Sequence, residues 1–368
     1  MKGTALKRFF SFFAILLASF TSPTIGQEEA VLNIDNWHEY MPQEVLEAFT
    51  KETGIKINYD IYESNEILET KLLSGSSGYD LVCPSAWPFV ARQIPAGTYQ
   101  KLQKEKIKNL NGLHPEIMAQ LQAFDPQNDY AIPYMWGVTG FAYQKDLISK
   151  RLSKAPTDSW AMFFDPDVIQ HFSECGVTLL EEPAEVIIPA YLYLGLDPKK
   201  ENVEDLKKVE ELIAKIRPYI RRFDAARSHD DIATGETCLA QHWLSSIAKS
   251  QHHLGPNKGP QLTYSIPKEG ALIWIDCFVI PVDAPHPDNA HKFLEFILQP
   301  HIMAQISNFT RSANAVPASY PLLDKELTKN TSIFLKENDF KRLFKMASFS
   351  PKFMKLLTRT MTRIRTGR

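Results

Sequence analysis

Between Val31 and Cys83 the sequence alternates extended and helical signals, and no other feature narrows the possible folds as far. Val31 to Asn36, Lys56 to Tyr62 and Tyr79 to Cys83 read as strands, with helices predicted over Pro42 to Thr53 and Ser64 to Leu73. In the first helix Val45, Leu46 and Phe49 recur at helical spacing, and Gly54 follows where a left-handed cap turns the chain into the next strand. Such alternation builds a parallel sheet flanked by helices, an α/β class. In sheets of this kind ligands sit outside the carboxyl ends of the strands.

Beyond this unit, Ala131-Ile132-Pro133-Tyr134-Met135-Trp136-Gly137 reads as an extended crossing between lobes. Pro133 removes a donor there, and Gly137 permits an unusual turn. Cys175 to Leu180 and Thr237 to Ala240 are predicted strands, the second leading to Trp243. Asn202 to Ile216 is a predicted amphipathic helix with Leu206, Val209, Leu212, Ile213 and Ile216 on one face. Ala271 to Pro281 is a nearly continuous apolar strand that contains Asp276, and a buried strand rarely carries an unpaired charge. After Met346 the chain ends in a basic stretch, read as a terminal helix with a solvated face.

At the other end, Lys2, Lys7 and Arg8 precede an apolar run from Phe9 to Phe20, followed by Thr24-Ile25-Gly26. That is the layout of a cleavable secretory signal over residues 1–26, the run being well short of the ~20 residues a membrane-spanning helix needs. A soluble chain of about 340 residues would remain, more than one hydrophobic core usually serves, so two lobes are expected. An apolar content of 44% allows both to be globular. Removing three basic residues leaves the rest more acidic than the formal net charge of −2, which argues against a nucleic-acid partner. Cys83, Cys175, Cys238 and Cys277 are too sparse for a disulfide scaffold and lack metal or redox spacing. One bridge with two packed thiols fits them, and the residues alone leave the pairing open. Neither a metal nor a cofactor is expected.

Aromatic residues stand beside acidic or hydroxyl residues at several strand ends: Trp37-His38-Glu39-Tyr40, Ser85-Ala86-Trp87, Trp243-Leu244-Ser245-Ser246 and Trp274-Ile275-Asp276. The acid cluster Glu181-Glu182-Pro183-Ala184-Glu185 follows another strand. An aromatic box with carboxylates at its ends suits an alkyl diamine or triamine: the methylenes are buried, the ammonium groups meet indole faces, and the carboxylates accept charge-assisted hydrogen bonds. Taken singly, each tryptophan also fits a packed core and each glutamate a solvated surface. Asp276 stands apart because its neighbours are apolar on both sides, so its charge requires a partner.

Five blocks, Asn36 to Tyr40, Phe49 to Lys56, Tyr79 to Ser85, Ile132 to Gly137 and Ile266 to Gly270, resemble the polyamine-binding proteins of bacterial ABC importers, the putrescine- and spermidine-binding type, over almost the whole mature chain. The resemblance implies a type II periplasmic binding protein fold: lobe 1 from 27–135 and 263–307, lobe 2 from 136–262 and 308–368, and a ligand cleft at the hinge. It implies that Trp37, Tyr40, Ser85, Trp243 and Trp274 line the pocket and that Glu39, Glu182, Glu185 and Asp276 meet ligand nitrogens. It also pairs Cys175 with Cys238. The expected protein is a periplasmic monomer that captures spermidine or putrescine and delivers it to permease subunits at the inner membrane.

Departures from that family concern the ligand. Ser246 replaces an aspartate of the putrescine type, Glu39 a shorter acid, Ser312 a tyrosine and His38 a small hydroxyl residue. Ser246, Glu39, Glu182, Trp87 and Trp274 look closer to the spermidine type. Competing expectations are the same fold holding another small cation or acting as a ligand sensor, and, more remotely, a secreted hydrolase using Glu181, Glu182 and Glu185. The sequence carries no G-x-S-x-G elbow, H-E-x-x-H helix or P-loop for the last.

Overall fold

The computed structural model describes residues 28–255, 258–344 and 349–367, so the secretory signal expected over 1–26 lies outside the described residues. Strand β1 (Val31–Trp37) is followed by helix α1 (Gln43–Thr53), which buries Val45, Leu46 and Phe49, and Gly54 at φ 75° donates its N–H to the Thr50 carbonyl. Only a residue without a side chain adopts that cap without strain. Strand β2 (Lys56–Tyr62) runs parallel to β1, from Val31 opposite Lys56 to Trp37 opposite Tyr62. Helix α2 (Asn65–Leu73) starts at Ser64, whose hydroxyl accepts from the Ile67 N–H. Strand β3 is only Leu81–Val82, shorter than expected, and lies parallel to β1.

The remainder of the framework is strand β4 (Ala131–Gln144), β5 (Val177–Leu179), helix α3 (Pro183–Tyr193), α4 (Val203–Ile216), β6 (Arg222–Phe223), β7 (Leu239–Trp243), α5 (Leu244–Leu254), β8 (Leu262–Ser265), β9 (Ala271–Val279), α6 (Pro287–Ile297), β10 (Ala313–Asn314), β11 (Leu343–Phe344) and α7 (Pro351–Thr366). Among the described residues eleven strands form one sheet along the path β2-β1-β3-β9-β4-β7-β5-β6, with β8 and β10 on β4 and β11 on β9. The expected parallel pairing holds at both ends, in β2-β1-β3 and in β7-β5-β6. Between them β9 runs antiparallel to β3 and β4, and β4 antiparallel to β7, making the sheet mixed. No helix among the described residues is long and apolar enough to cross a membrane.

Among the described residues two large hydrophobic cores pack on this sheet, with a small third cluster of Ala142, Ile232, Ala240 and Ile247. The first gathers Ile34, Phe49, Ile117, Phe278 and Phe293, the second Phe141, Trp160, Ile187, Ile213 and Leu357. Phe49 packs edge-on to Phe293 at 5.0 Å between ring centroids, fastening α1 to α6. Burying an aromatic of that size contributes about 2–3 kcal/mol. Every residue of β4 is buried, and the strand leaves the first core after Val138 and enters the second at Phe141. The expected crossing is therefore a strand, and Gly137 makes no turn: it pairs with Trp274 in mid-ladder. Placing all of 308–368 in the second lobe also fails. Ala313, Val316, Leu327, Phe340 and Leu343 belong to the first core, because β10 pairs with β4 and β11 with β9. The chain returns to the second core only with α7, whose Phe353, Leu357, Met361 and Ile364 are buried beneath a basic outer face.

Cys175 and Cys238 form a disulfide with Cα atoms 5.5 Å apart, the pairing implied by the family resemblance, while Cys83 and Cys277 are free and buried. The bond joins the segments entering β5 and β7 across 63 residues. Closing a loop of that length stabilises a fold by about 4 kcal/mol in the chain-entropy account. Replacing both Cys175 and Cys238 by serine is expected to lower the calorimetric unfolding midpoint by roughly 8 °C, while Cys83 and Cys277 stay unreactive toward a thiol reagent until unfolding.

Candidate ligand-binding site

The ladder around β4 decides which side chains share a face. In antiparallel pairs directly opposed residues project to the same side, as do residues two apart along a strand. Gly137 opposes Trp274, and Thr139 opposes Leu272 on β9 and Trp243 on β7. Asp276, Trp274, Thr139, Trp243 and Gln241 thus stand on one face that runs across both cores. Gly137 is the gap in this row. A Cβ at that position would lie 2.4 Å from Cζ2 of Trp274, so the indole can lie flat against the strand only because residue 137 has no side chain.

Asp276 sits 8% exposed at the first-core end of the row. Its Oδ2 accepts from the Tyr40 hydroxyl at 2.7 Å and its Oδ1 from the Ser85 hydroxyl at 2.7 Å. Ser85 is held by Asn65, which accepts from its N–H and donates to its hydroxyl. Burial pushes the Asp276 carboxyl up to about 6, against the opposing pull of the two hydroxyls. The Trp37 ring lies 4.6 Å from that of Tyr62, whose hydroxyl donates to the Cys83 carbonyl.

At the second-core end, Glu182 caps α3 and Glu185 lies in its first turn. The Trp243 indole N–H donates to Glu185 Oε1 at 3.2 Å, and Gln241 Nε2 donates to the Glu185 carbonyl. Burial, reinforced by the charge of Glu185, pushes the Glu182 carboxyl up to about 7, and burial raises Glu185 as well. Among the described residues no lysine, arginine or histidine pairs with Asp276, Glu182 or Glu185, and none contributes to their shifts. Glu181, by contrast, is turned outward to Arg365 Nη2 at 2.9 Å. Five side-chain atoms of this region are sealed from solvent without a partner: Glu182 Oε2, Glu185 Oε2, Thr139 Oγ1, Trp37 Nε1 and Trp274 Nε1.

Of the residues singled out in the sequence, Tyr40, Ser85 and Asp276 form one bonded group, Trp243 and Glu185 another, and Trp274 lies between them on the shared face. Glu182 neighbours the second group, while Trp37 packs against Tyr62. Ser246 is half-buried in the first turn of α5. Glu39 is not brought to the buried carboxyls: in the left-handed region at φ 51°, it is half-exposed and ion-paired with Lys249 Nζ at 2.7 Å. Ser312 is buried and contributes its carbonyl to Ser307 Oγ at 2.7 Å. Sequence reasoning missed Gly137, Thr139, Gln241, Asn65 and Lys249. Counting by twos back from Trp243 finds Gln241, and by twos from Gly137 finds Thr139; nothing local marks Asn65 or Lys249.

Comparison with known proteins fits this geometry. The family described as bacterial extracellular solute-binding protein matches residues 44–334. The putrescine-binding periplasmic protein SpuD of Pseudomonas aeruginosa is 41% identical over 344 residues, covering 93% of each chain. The putrescine-binding periplasmic protein PotF of Escherichia coli is 37% identical over 348 residues, covering 94% of each. Among solved structures, the spermidine/putrescine ABC transporter substrate-binding protein PotD of Streptococcus pneumoniae superposes with a TM-score of 0.78 at 24% identity, over 91% of this chain and 98% of that one. The α/β fold is the two-lobed fold of periplasmic binding proteins, and the chain belongs to the bacterial extracellular solute-binding protein family.

Proposed function

We propose that this protein binds a polyamine between its two lobes in the periplasm and delivers it to the permease subunits of an ABC importer, with no covalent chemistry. The observation that carries this reading is the set of three carboxyls, Asp276 buried and Glu182 and Glu185 half-buried with Oε2 sealed, that pair with no protein cation among the described residues and stand along an indole-lined face. Buried charge without a counter-charge is costly, and an alkyl chain bearing ammonium groups supplies both the counter-charges and an apolar stem for Trp243 and Trp274. The names of SpuD, PotF and PotD point to the same ligand class.

The lobes proposed here follow the cores: 28–138 with 271–344, and 141–265 with 349–367, each binding event bridging the two. A ligand that touches both lobes shifts the population toward the closed form, the shape a permease recognises. One ligand per monomer is the proposed stoichiometry.

Calorimetric titration of refolded protein with spermidine and putrescine tests the reading, and no heat from either would sink it. Replacing Asp276 by alanine should cost at least about 2 kcal/mol of binding, roughly thirtyfold in Kd; an unchanged affinity would remove Asp276 from the site. Gly137→Ala is expected to displace the Trp274 ring and weaken binding about tenfold while the unfolding midpoint moves little, a split that titration and calorimetry on the same sample resolve.

Acidity separates binding from stability. Ammonium capture needs ionised carboxyls, so affinity should fall at least tenfold from about pH 8 to about pH 5 as Glu182 and Asp276 take up protons near 7 and 6. For the free protein the sign reverses. A carboxyl raised on folding stabilises the fold fully below its unfolded pKa and loses that contribution as the pH climbs through the folded one. Asp276→Asn should therefore raise the ligand-free melting temperature at pH 8 more than at pH 5, while weakening ligand binding at pH 8.

A further inference from the structure

Helix α5 is rooted in the second of the proposed lobes. Its Ile247 packs with Ile232 and Ala240, and its Ser250 hydroxyl donates to Asp230 Oδ1 at 2.7 Å. Ala248 and Lys249 between them turn to the first lobe instead. Ala248 packs against the first core. Lys249 Nζ lies 2.7 Å from Glu39 Oε2, donates to the Glu39 carbonyl at 3.2 Å, and stands 5.5 Å from the ring centroid of Phe309 in the helix Pro300–Thr310. Three residues on, His252 Nδ1 is 4.0 Å from Glu326 Oε2, which Arg311 Nη2 also approaches, at 3.8 Å.

Glu39 is an unusual partner. Its backbone sits at φ 51°, a left-handed conformation that a glutamate seldom adopts and that persists where the surroundings fix it. Lys249 grips this residue at both carboxylate and carbonyl, and its hydrogen bond holds the Glu39 carboxyl below the usual range, so the pair stays charged at neutral pH. The next residue is Tyr40, whose hydroxyl donates to Asp276. The grip therefore falls on the segment that carries the first group of the site.

Resting on the lobe division and the polyamine reading above, we infer that Lys249 is a latch between the lobes: a tethered ammonium that draws Glu39 of the first lobe onto α5 of the second. It favours the closed form with protein groups alone and acts on the open–closed equilibrium, not on the ligand. A residue of that kind scales the affinity for every ligand by one factor, because apparent affinity follows the fraction of molecules in the binding-competent form. A carboxylate that met a ligand ammonium would instead separate a triamine from a diamine.

Small-angle X-ray scattering and calorimetric titration of the protein, Lys249→Met and Glu39→Gln test the latch. Without ligand, both variants should show a larger radius of gyration than the unmodified protein, and saturating spermidine should bring all three to one value. Both should weaken spermidine and putrescine equally, by up to about fivefold, as for a part-exposed ion pair, and the double variant should lose no more than either single one. A ligand-free radius unchanged in both variants overturns the inference. So does a loss in Glu39→Gln that differs between the two amines, which would return Glu39 to the ligand. Should one variant fail to fold, the other decides, since they lie in different lobes. If neither amine binds the unmodified protein, the polyamine reading falls while the ligand-free scattering still decides the latch.

Discussion

Strand β4 pairs with β9 on the first core and with β7 toward the second, and that ladder fixes where each candidate side chain stands. Because period two holds across the boundary between the cores, a residue on β9 and a residue on β7 come to share a face without any loop to aim them. Asp276, Trp274 and Trp243 are separated by about thirty residues of chain yet stand in one row for this reason. The register also exposes the site to a single kind of error: a slip by one residue would turn the whole row into the sheet's other side. The main-chain hydrogen bonds of a fully buried strand make that slip costly.

Asp276 on that row, and Glu182 and Glu185 at the start of α3 beside it, are held in an unfavourable setting. Asp276 receives two hydroxyl donors, enough to satisfy its oxygens but not to neutralise it, and Glu182 and Glu185 crowd each other at the start of one helix. The helix N-terminus offsets part of this through its dipole. The fold carries the remainder as a local destabilisation, supported by cores that are extensive on either side. Binding sites drawn from buried, unmatched charge are stable only when a larger framework over-determines them.

Much of the framework was legible because its signals are local. The βαβαβ opening, the capping Gly54, the amphipathic α4 and the apolar β9 all sit where the sequence places them, since periodicity and capping act within one or two turns. What escaped was pairing between distant segments. Pro133 and Gly137 mark an extended crossing in the sequence, but not that it is a long strand paired on both sides, with an irregularity confined to a shift between Pro133 and Trp136. Ala313 to Leu343 reads as a continuation toward the C-terminus, and only the pairing of β10 and β11 returns it to the first core. Glu39 shows the same limit at the site. An acid beside Trp37 matches a ligand-binding pattern, but Lys249, remote in sequence, claims it.

Tryptophan placement has an optical consequence. Of the six indoles, Trp136 and Trp160 are fully buried in the two separate cores, with their N–H groups donating to the Asn314 and Gly270 carbonyls. Their emission is governed by packed protein rather than by solvent. Trp243 and Trp274 stand on the row and Trp37 packs against Tyr62, all three half-buried, so that on the proposed reading a bound cation and lobe closure would alter their surroundings. On that reading the intrinsic fluorescence of this chain combines a background from sealed indoles with a component that follows the cleft, in a molecule that needs no attached dye.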